Sequence, residues 1–312
     1  MVGANDAESA IDLSCDEDLM ALAMLNDHII PQLTVATMKD ILAELLQREC
    51  DHRPDVTYIC TVQRDGMEAS WRVRIAEWMV AISTEFEFAT VTTDLALNYL
   101  DRHLSRRSVS QHNLQLVGLV ALLVASKFHE PDALLVAEAA NLAHLAGFTP
   151  DTIRSMETSM LDVLEWNLHT VVPIHFVECF VVELSPDDSS RLGEACLPFL
   201  AASRMSHEML AFLPSEIAVA IVTLACQVTG HHASCASVIA SLTQLVPATT
   251  TAKVERCLQI LAQCIDMAST TLSLKRDRSP SPLGVEGLVL GECADDHQST
   301  FCPLVKRPKC HL

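Results

Sequence analysis

Glycine, aromatic side chains and positive charge are all scarce in this sequence. Its 312 residues include 9 Gly, 4% aromatics, and 21 Lys and Arg against 40 Asp and Glu, a net charge of −19. Too few basic side chains argues against general binding to a nucleic-acid backbone, which needs a cationic face. Too little Gly argues against an all-β sandwich, whose many turns call for Gly and Pro. It also leaves little material for phosphate-cradling loops, and neither a Gly-x-Gly-x-x-Gly nor a Gly-x-x-x-x-Gly-Lys run occurs, so a nucleotide-binding enzyme of those kinds is not expected. Long apolar runs are missing too. The longest, residues 114–125, is about a dozen residues and contains Gln115, where a membrane span needs about 20. Residues 1–17 have neither a basic nor an apolar stretch, so no secretory leader is read there.

Cysteine is present 12 times, yet no two stand as Cys-x-x-Cys, so a zinc site of the usual spacing is not indicated. Cys179, Cys226 and Cys257 lie among apolar residues and read as small core side chains of an intracellular protein. The 13 His have no acidic partners at metal spacing, and no nucleophile signature surrounds any Cys. No metal, no cofactor and no catalysis by this chain are therefore expected.

What is there is helix after helix. Residues 70–83 place Ile75, Trp78, Met79 and Ile82 at i, i+3, i+4, i+7, an amphipathic face. A second helix is predicted over 90–104. The third, 111–128, is apolar on every face from Leu114 to Val124 and must be surrounded by other helices. Helices over 134–146 and 150–166 follow, the last opened by Thr149-Pro150. After Val172-Pro173 the pattern recurs, with helices over 174–183 and 189–212. Leu213-Pro214-Ser215 opens a second helix apolar all round, roughly 100 residues after the first, a spacing too long for ordinary solenoid repeats. A last helix carries Val254, Leu258, Leu261, Ile265 and Leu272. The prediction is an all-α protein of two bundles of about five helices, each wrapped around a buried central helix. An acidic tail (1–20) precedes a first unit with its N-terminal helix (21–169). A second unit (170–272) and a flexible, Pro-bearing tail (273–312) follow.

Several linked motifs resemble the cyclin box: Trp71 to Met79, Leu95 to Arg102, Leu114 to Gly118 leading to Ala125-Ser126-Lys127-Phe128-His129-Glu130, and Leu164 to Leu168. Leu25-Asn26-Asp27, Tyr58, Val62-Gln63 and Asn98 to Arg102 are similar to the D-type group of that family. So is Leu13-Ser14-Cys15-Asp16-Glu17, which supplies the Leu-x-Cys-x-Glu motif used to dock on retinoblastoma-family pocket proteins.

The resemblance implies two tandem cyclin boxes and a regulatory subunit that binds and activates a cyclin-dependent kinase, directing it to pocket proteins in the G1/S step of the cell cycle. Lys127, Glu130 and Glu157 would grip the kinase's regulatory helix, since an ammonium can cap backbone carbonyls and a carboxylate can accept backbone N–H groups. Phe128 and Trp166 would be apolar anchors. The alternative is that Lys127 and Glu157 merely pair with each other at the surface. Arg72 and Asp101 would form an internal ion pair.

Trp78 and Gln115 match part of a groove that docks Arg-x-Leu substrate peptides. Here Trp71 replaces the usual Met and Arg74 the usual aliphatic residue, and a guanidinium repels basic ligands, so core packing of Trp78 is the competing reading. Ser279 and Ser281, each before Pro, match tail phosphosites. Lys306, Arg307 and Lys309 fit a short nuclear-import pattern, which with the family places the chain in nucleus and cytoplasm. Expected partners are the kinase, as a heterodimer, a pocket protein and kinase inhibitors, with no nucleic acid and no membrane. Two other readings stand beside this one: an atypical cyclin that binds a kinase without activating it, and a cyclin-fold transcription scaffold. A net −14 over residues 21–272 speaks against the scaffold.

Overall fold

A computed structural model describes residues 35–143, 147–230, 235–247 and 249–276. The order is α1 (Val35–Arg48), a one-turn α2 (Tyr58–Thr61), α3 (Ala69–Glu85), α4 (Thr90–Leu104), α5 (Gln111–His129), α6 (Val136–Leu142) and α7 (Pro150–Val163). Then come α8 (Pro173–Leu184), α9 (Ser189–Met205), α10 (Pro214–Thr229), α11 (Cys235–Leu245) and α12 (Thr251–Arg276), with short 3-10 turns at Pro186–Asp188 and His207–Ala211. Among the described residues there is no strand, and no helix is long and apolar enough to cross a membrane.

The two helices apolar on all sides become the two axes. α5 packs against α3, α4, α6 and α7; α10 packs against α8, α9, α11 and α12. Leu119, Leu122 and Leu123 in α5 and Val219, Ile221 and Val222 in α10 have no exposed surface. The ends are fixed locally. Ser110 accepts the Asn113 N–H to start α5, and Thr149 accepts the Thr152 N–H ahead of Pro150 to start α7, both ordinary N-caps. Glu216 reaches back to the Leu213 N–H at 2.9 Å to start α10, and Gly230 ends it with φ 69°, the left-handed cap that lacks a Cβ penalty. Gly118 lets α3 and α5 cross closely: a Cβ there would lie 2.8 Å from Ile75 Cγ1.

The structure revises several predicted elements. The helix over 134–146 is only Val136–Leu142, begun by Glu138 Oε2 accepting the Leu135 N–H at 2.8 Å. The helix over 189–212 is α9 plus a 3-10 turn, divided where Ser206 takes an extended backbone. The helix over 150–166 stops at Val163, for a reason given below. α11 was not foreseen, although Val238, Ile239 and Leu242 are buried on one face. α12 runs to Arg276, past the expected boundary at 272. Finally, α1 lies against α8 of the second bundle, burying Met38 and Leu42, so sequence order misassigns it to the first.

Polar contacts tie the bundles together. Arg204 Nε donates to Asp94 at 2.5 Å, and Arg72 Nη1 to the Arg204 carbonyl at 2.8 Å. Arg53 Nη2 donates to the carbonyls of Leu210 and Phe212, both at 3.0 Å. Between the bundles lies a cavity of about 110 Å³ walled by Arg72, Asp94, Asp101 and Arg204 among others.

Candidate functional site

The surface that the sequence singles out is built where the last turn of α5 meets the middle of α7. Lys127, in the last turn of α5, sends Nζ to Glu157 Oε1 on α7 at 2.5 Å. The lysine side chain is 43% exposed and the carboxylate 17%. The two residues do pair with each other, and the pair sits open to a partner on the lysine's side. Beside it Phe128 is half-buried, and its ring meets His169 edge-on at a centroid distance of 4.8 Å.

Trp166 is the most exposed aromatic anchor of the predicted set, at 67%. It stands on the turn after α7, where Glu165 and Trp166 have φ 56° and 59°. Side chains from the α4 region hold this turn by its carbonyls. Tyr99 Oη donates to Leu168 O at 2.7 Å; Arg102 Nη1 donates to Asn167 O at 2.8 Å and Nη2 to Leu164 O at 3.1 Å. Arg106 Nη1 donates to Val163 O at 2.5 Å and to Glu165 Oε1 at 2.7 Å. Burial pulls the Arg102 guanidinium down to about 10, with carbonyls rather than a carboxylate as its partners. α7 ends three residues earlier than the sequence suggests, closed by Glu165 N–H to Asp162 O at 3.1 Å and Trp166 N–H to Leu161 O at 3.0 Å, a left-handed helix cap, and the side-chain contacts hold the turn that follows. Arg106 and Glu165 were missed by sequence reasoning. The available signal was the i, i+3, i+7 spacing of Tyr99, Arg102 and Arg106.

Glu130 has an internal task. Its Oε1 accepts the Ala89 N–H at 2.8 Å and a short bond from the Thr92 hydroxyl, so it pins the start of α4 to the end of α5.

Arg72 and Asp101 meet in the core, 3% and 1% exposed, through Nε–Oδ1 at 2.8 Å and Nη2–Oδ2 at 2.7 Å. Tyr58 Oη adds a third bond to Asp101 Oδ1 at 3.0 Å. Trp78 is 4% exposed and belongs to the core; Gln115 is half-buried and Arg74 exposed. The predicted groove therefore offers little of its tryptophan to a peptide. Among the described residues no cluster of metal-ligating side chains forms. Leu13, Cys15, Glu17, Ser279, Ser281, Lys306, Arg307 and Lys309 lie outside the described residues.

Comparison with known proteins matches residues 40–169 to the cyclin N-terminal domain and residues 171–281 to the cyclin C-terminal domain. Cyclin-A1-2 of Oryza sativa subsp. japonica is 29% identical over 218 residues, which is 69% of this chain and 44% of that protein. Cyclin-D2-2 of the same plant is 28% identical over 188 residues, 59% of this chain and 53% of that protein. The chain thus spans about half the length of such relatives, and they are of both A and D type. Among solved structures, a viral cyclin from Herpesvirus saimiri superposes with a TM-score of 0.63 at 19% identity, over 72% of this chain and 96% of that one, a likeness of fold.

Proposed function

We propose that this chain, which belongs to the cyclin family, is a regulatory subunit that binds a cyclin-dependent kinase and shifts it to its active conformer, performing no phosphoryl transfer itself. Such a subunit works by differential affinity: it binds the active arrangement better than the inactive one and so makes a minor state dominant. The observation that carries the reading is the Lys127–Glu157 pair at the junction of α5 and α7, beside Phe128. An exposed pair of this kind contributes only about 0–1 kcal/mol to folding, so its worth lies in what it offers a partner. Glu130 adds an internal task to its predicted role, fastening Ala89 and Thr92 through one carboxylate oxygen.

The finer reading is D-type. Leu13, Cys15 and Glu17 would tether a retinoblastoma-family protein and raise its effective concentration at the kinase, in G1/S control. Lys306, Arg307 and Lys309 would carry the chain to the nucleus, Ser279 and Ser281 would regulate its exit, and kinase inhibitors would compete at the complex. The test is binding and activity together. Lys127→Ala and Glu157→Ala should each weaken kinase capture at least tenfold while leaving the unfolding midpoint nearly unchanged; unaltered capture by both overturns the interface. Cys15→Gly should lose the pocket protein and keep the kinase. Kinase captured without gain of activity would instead favour the non-activating reading.

A further inference from the structure

The turn at 164–168 is held in a conformation its own residues disfavour. Leu164-Glu165-Trp166-Asn167-Leu168 contains no glycine, yet two consecutive side-chain-bearing residues sit at φ 56° and 59°. Left-handed backbone in non-glycine residues persists only where the surroundings over-determine it. Here they do. Carbonyls of four residues, Val163, Leu164, Asn167 and Leu168, are each taken by a donor from Tyr99, Arg102 or Arg106, and the Glu165 carboxylate is taken by Arg106 as well. What this scaffold achieves is to hold an indole out in water, with Trp166 67% exposed.

A large aromatic gains most when covered, and rigidly held aromatics make strong anchors because little freedom is lost on binding. Three residues on, His169 packs on Phe128, so the turn is continuous with the Lys127–Glu157 surface. We infer that Arg106, together with Arg102 and Tyr99, is a positioning residue for Trp166, and that the left-handed turn is maintained so that the indole is pre-set to dock into the kinase. This rests on the kinase-subunit reading above.

The strain provides a test whose two readouts move in opposite directions. Glycine relieves left-handed backbone, so Glu165→Gly in the full chain should leave the urea midpoint unchanged or raised. Because it also frees the turn and removes the Arg106 partner, it should weaken kinase binding at least fivefold. Arg106→Ala should weaken binding to a similar degree, and Trp166→Ala at least tenfold. Iodide quenching adds a direct readout: Trp78 is buried and Trp71 half-buried, so the quenchable emission is mainly that of Trp166 and should be protected in the complex.

Glu165→Gly, Arg106→Ala and Trp166→Ala binding like wild type, while Lys127→Ala does not, would overturn the positioning role and leave the kinase reading standing. A lowered midpoint for Glu165→Gly accompanying its loss of binding would make the turn merely structural and likewise overturn it. A wild-type chain that captures no kinase overturns both.

Discussion

α5 and α10 hold the same place in the two boxes and are equally dry, but what surrounds them differs. Around α5 the core is crossed by many polar groups, several tightly paired, while Ser83 Oγ, Asp94 Oδ2, Asn98 Oδ1 and His103 Nδ1 find no partner. Arg72, Asp101 and Tyr58 form one cluster. Gln63 bridges three backbone groups, donating to Leu104 O at 2.6 Å and Arg107 O at 2.8 Å and accepting from Val109 N at 2.9 Å. Arg102 fastens the turn after α7. Around α10 the charged groups are fewer: Glu216, 1% exposed, with its Leu213 cap and Lys253 at 3.0 Å, and Glu49, which accepts the Ser215 N–H at 3.2 Å. Small hydroxyls such as Thr223 bond within their own helix, and the rest is apolar packing that includes Phe176 and Phe180.

Apolar packing is forgiving, because any set of side chains of about the right volume fills the space. Paired buried polar groups are not, because each needs its partner at the right distance and angle. The first box thus fixes the geometry of its surface, and that is the box carrying the candidate site.

This contrast can be broken or sharpened by experiment. The largest effect should come from Arg72→Ala, which leaves Asp101 buried and uncompensated at a cost of about 3–5 kcal/mol; urea unfolding measures it. If the loss were below about 1 kcal/mol, the polar framework would be dispensable. Next come Leu122→Ala in α5 and Ile221→Ala in α10, each opening a cavity worth about 2–5 kcal/mol. Similar losses would show the two axes to be packed alike, leaving polarity as the difference between the boxes.

A pH titration follows. His103 in the first box and His175 in the second are both pushed down by burial from 6.5 to about 4. The folded chain therefore binds these protons less readily than the unfolded one. Their contribution is complete above about pH 6.5 and is lost as the pH falls toward 4. His175 Nδ1 also accepts the Val172 N–H at 3.3 Å, so protonation removes a helix-start bond there. His175→Asn should flatten the acid-side fall of the unfolding midpoint, and an unchanged slope would place the acid sensitivity elsewhere. The smallest effect is expected from Lys253→Ala, about 1–3 kcal/mol, since the lysine is 53% exposed but its loss strips one partner from a carboxylate that is 2% exposed and that keeps its Leu213 N–H.

The same contrast explains what could be read in advance. The first box announces itself through Trp71 to Met79, Leu95 to Arg102 and Lys127 to Glu130 because its framework needs those residue types. The second matched more weakly, and α11 passed unnoticed: Val238, Ile239 and Leu242 share a face, but Ser237, Ser241 and Thr243 among and beside them blur the pattern. Arg72 and Asp101 stand 29 residues apart, and their meeting was legible through the resemblance to the cyclin box rather than through periodicity. The pairing of Lys127 with Glu157, 30 residues apart, was weighed as one of two outcomes. The role of Glu130 was not legible, because its partners Ala89 and Thr92 lie at the start of another helix.

By itself the sequence determined the helical class, the two buried axes and the tandem repeat, because hydrophobic period and caps act over a few residues. Only the tertiary structure decided that α1 lies on the second box, that α7 stops at Val163, and that Trp166 faces solvent on a left-handed turn. Local propensity favours continuing that helix through Leu-Glu-Trp. The chain instead turns left-handed at Glu165 and Trp166, whose N–H groups bond Asp162 O at 3.1 Å and Leu161 O at 3.0 Å, a local helix closure, and donors from residues 99, 102 and 106, some 60 positions earlier, hold the turn that follows. Such long-range hydrogen bonds leave no mark in the neighbouring sequence, and a left-handed cap without glycine or asparagine leaves little more.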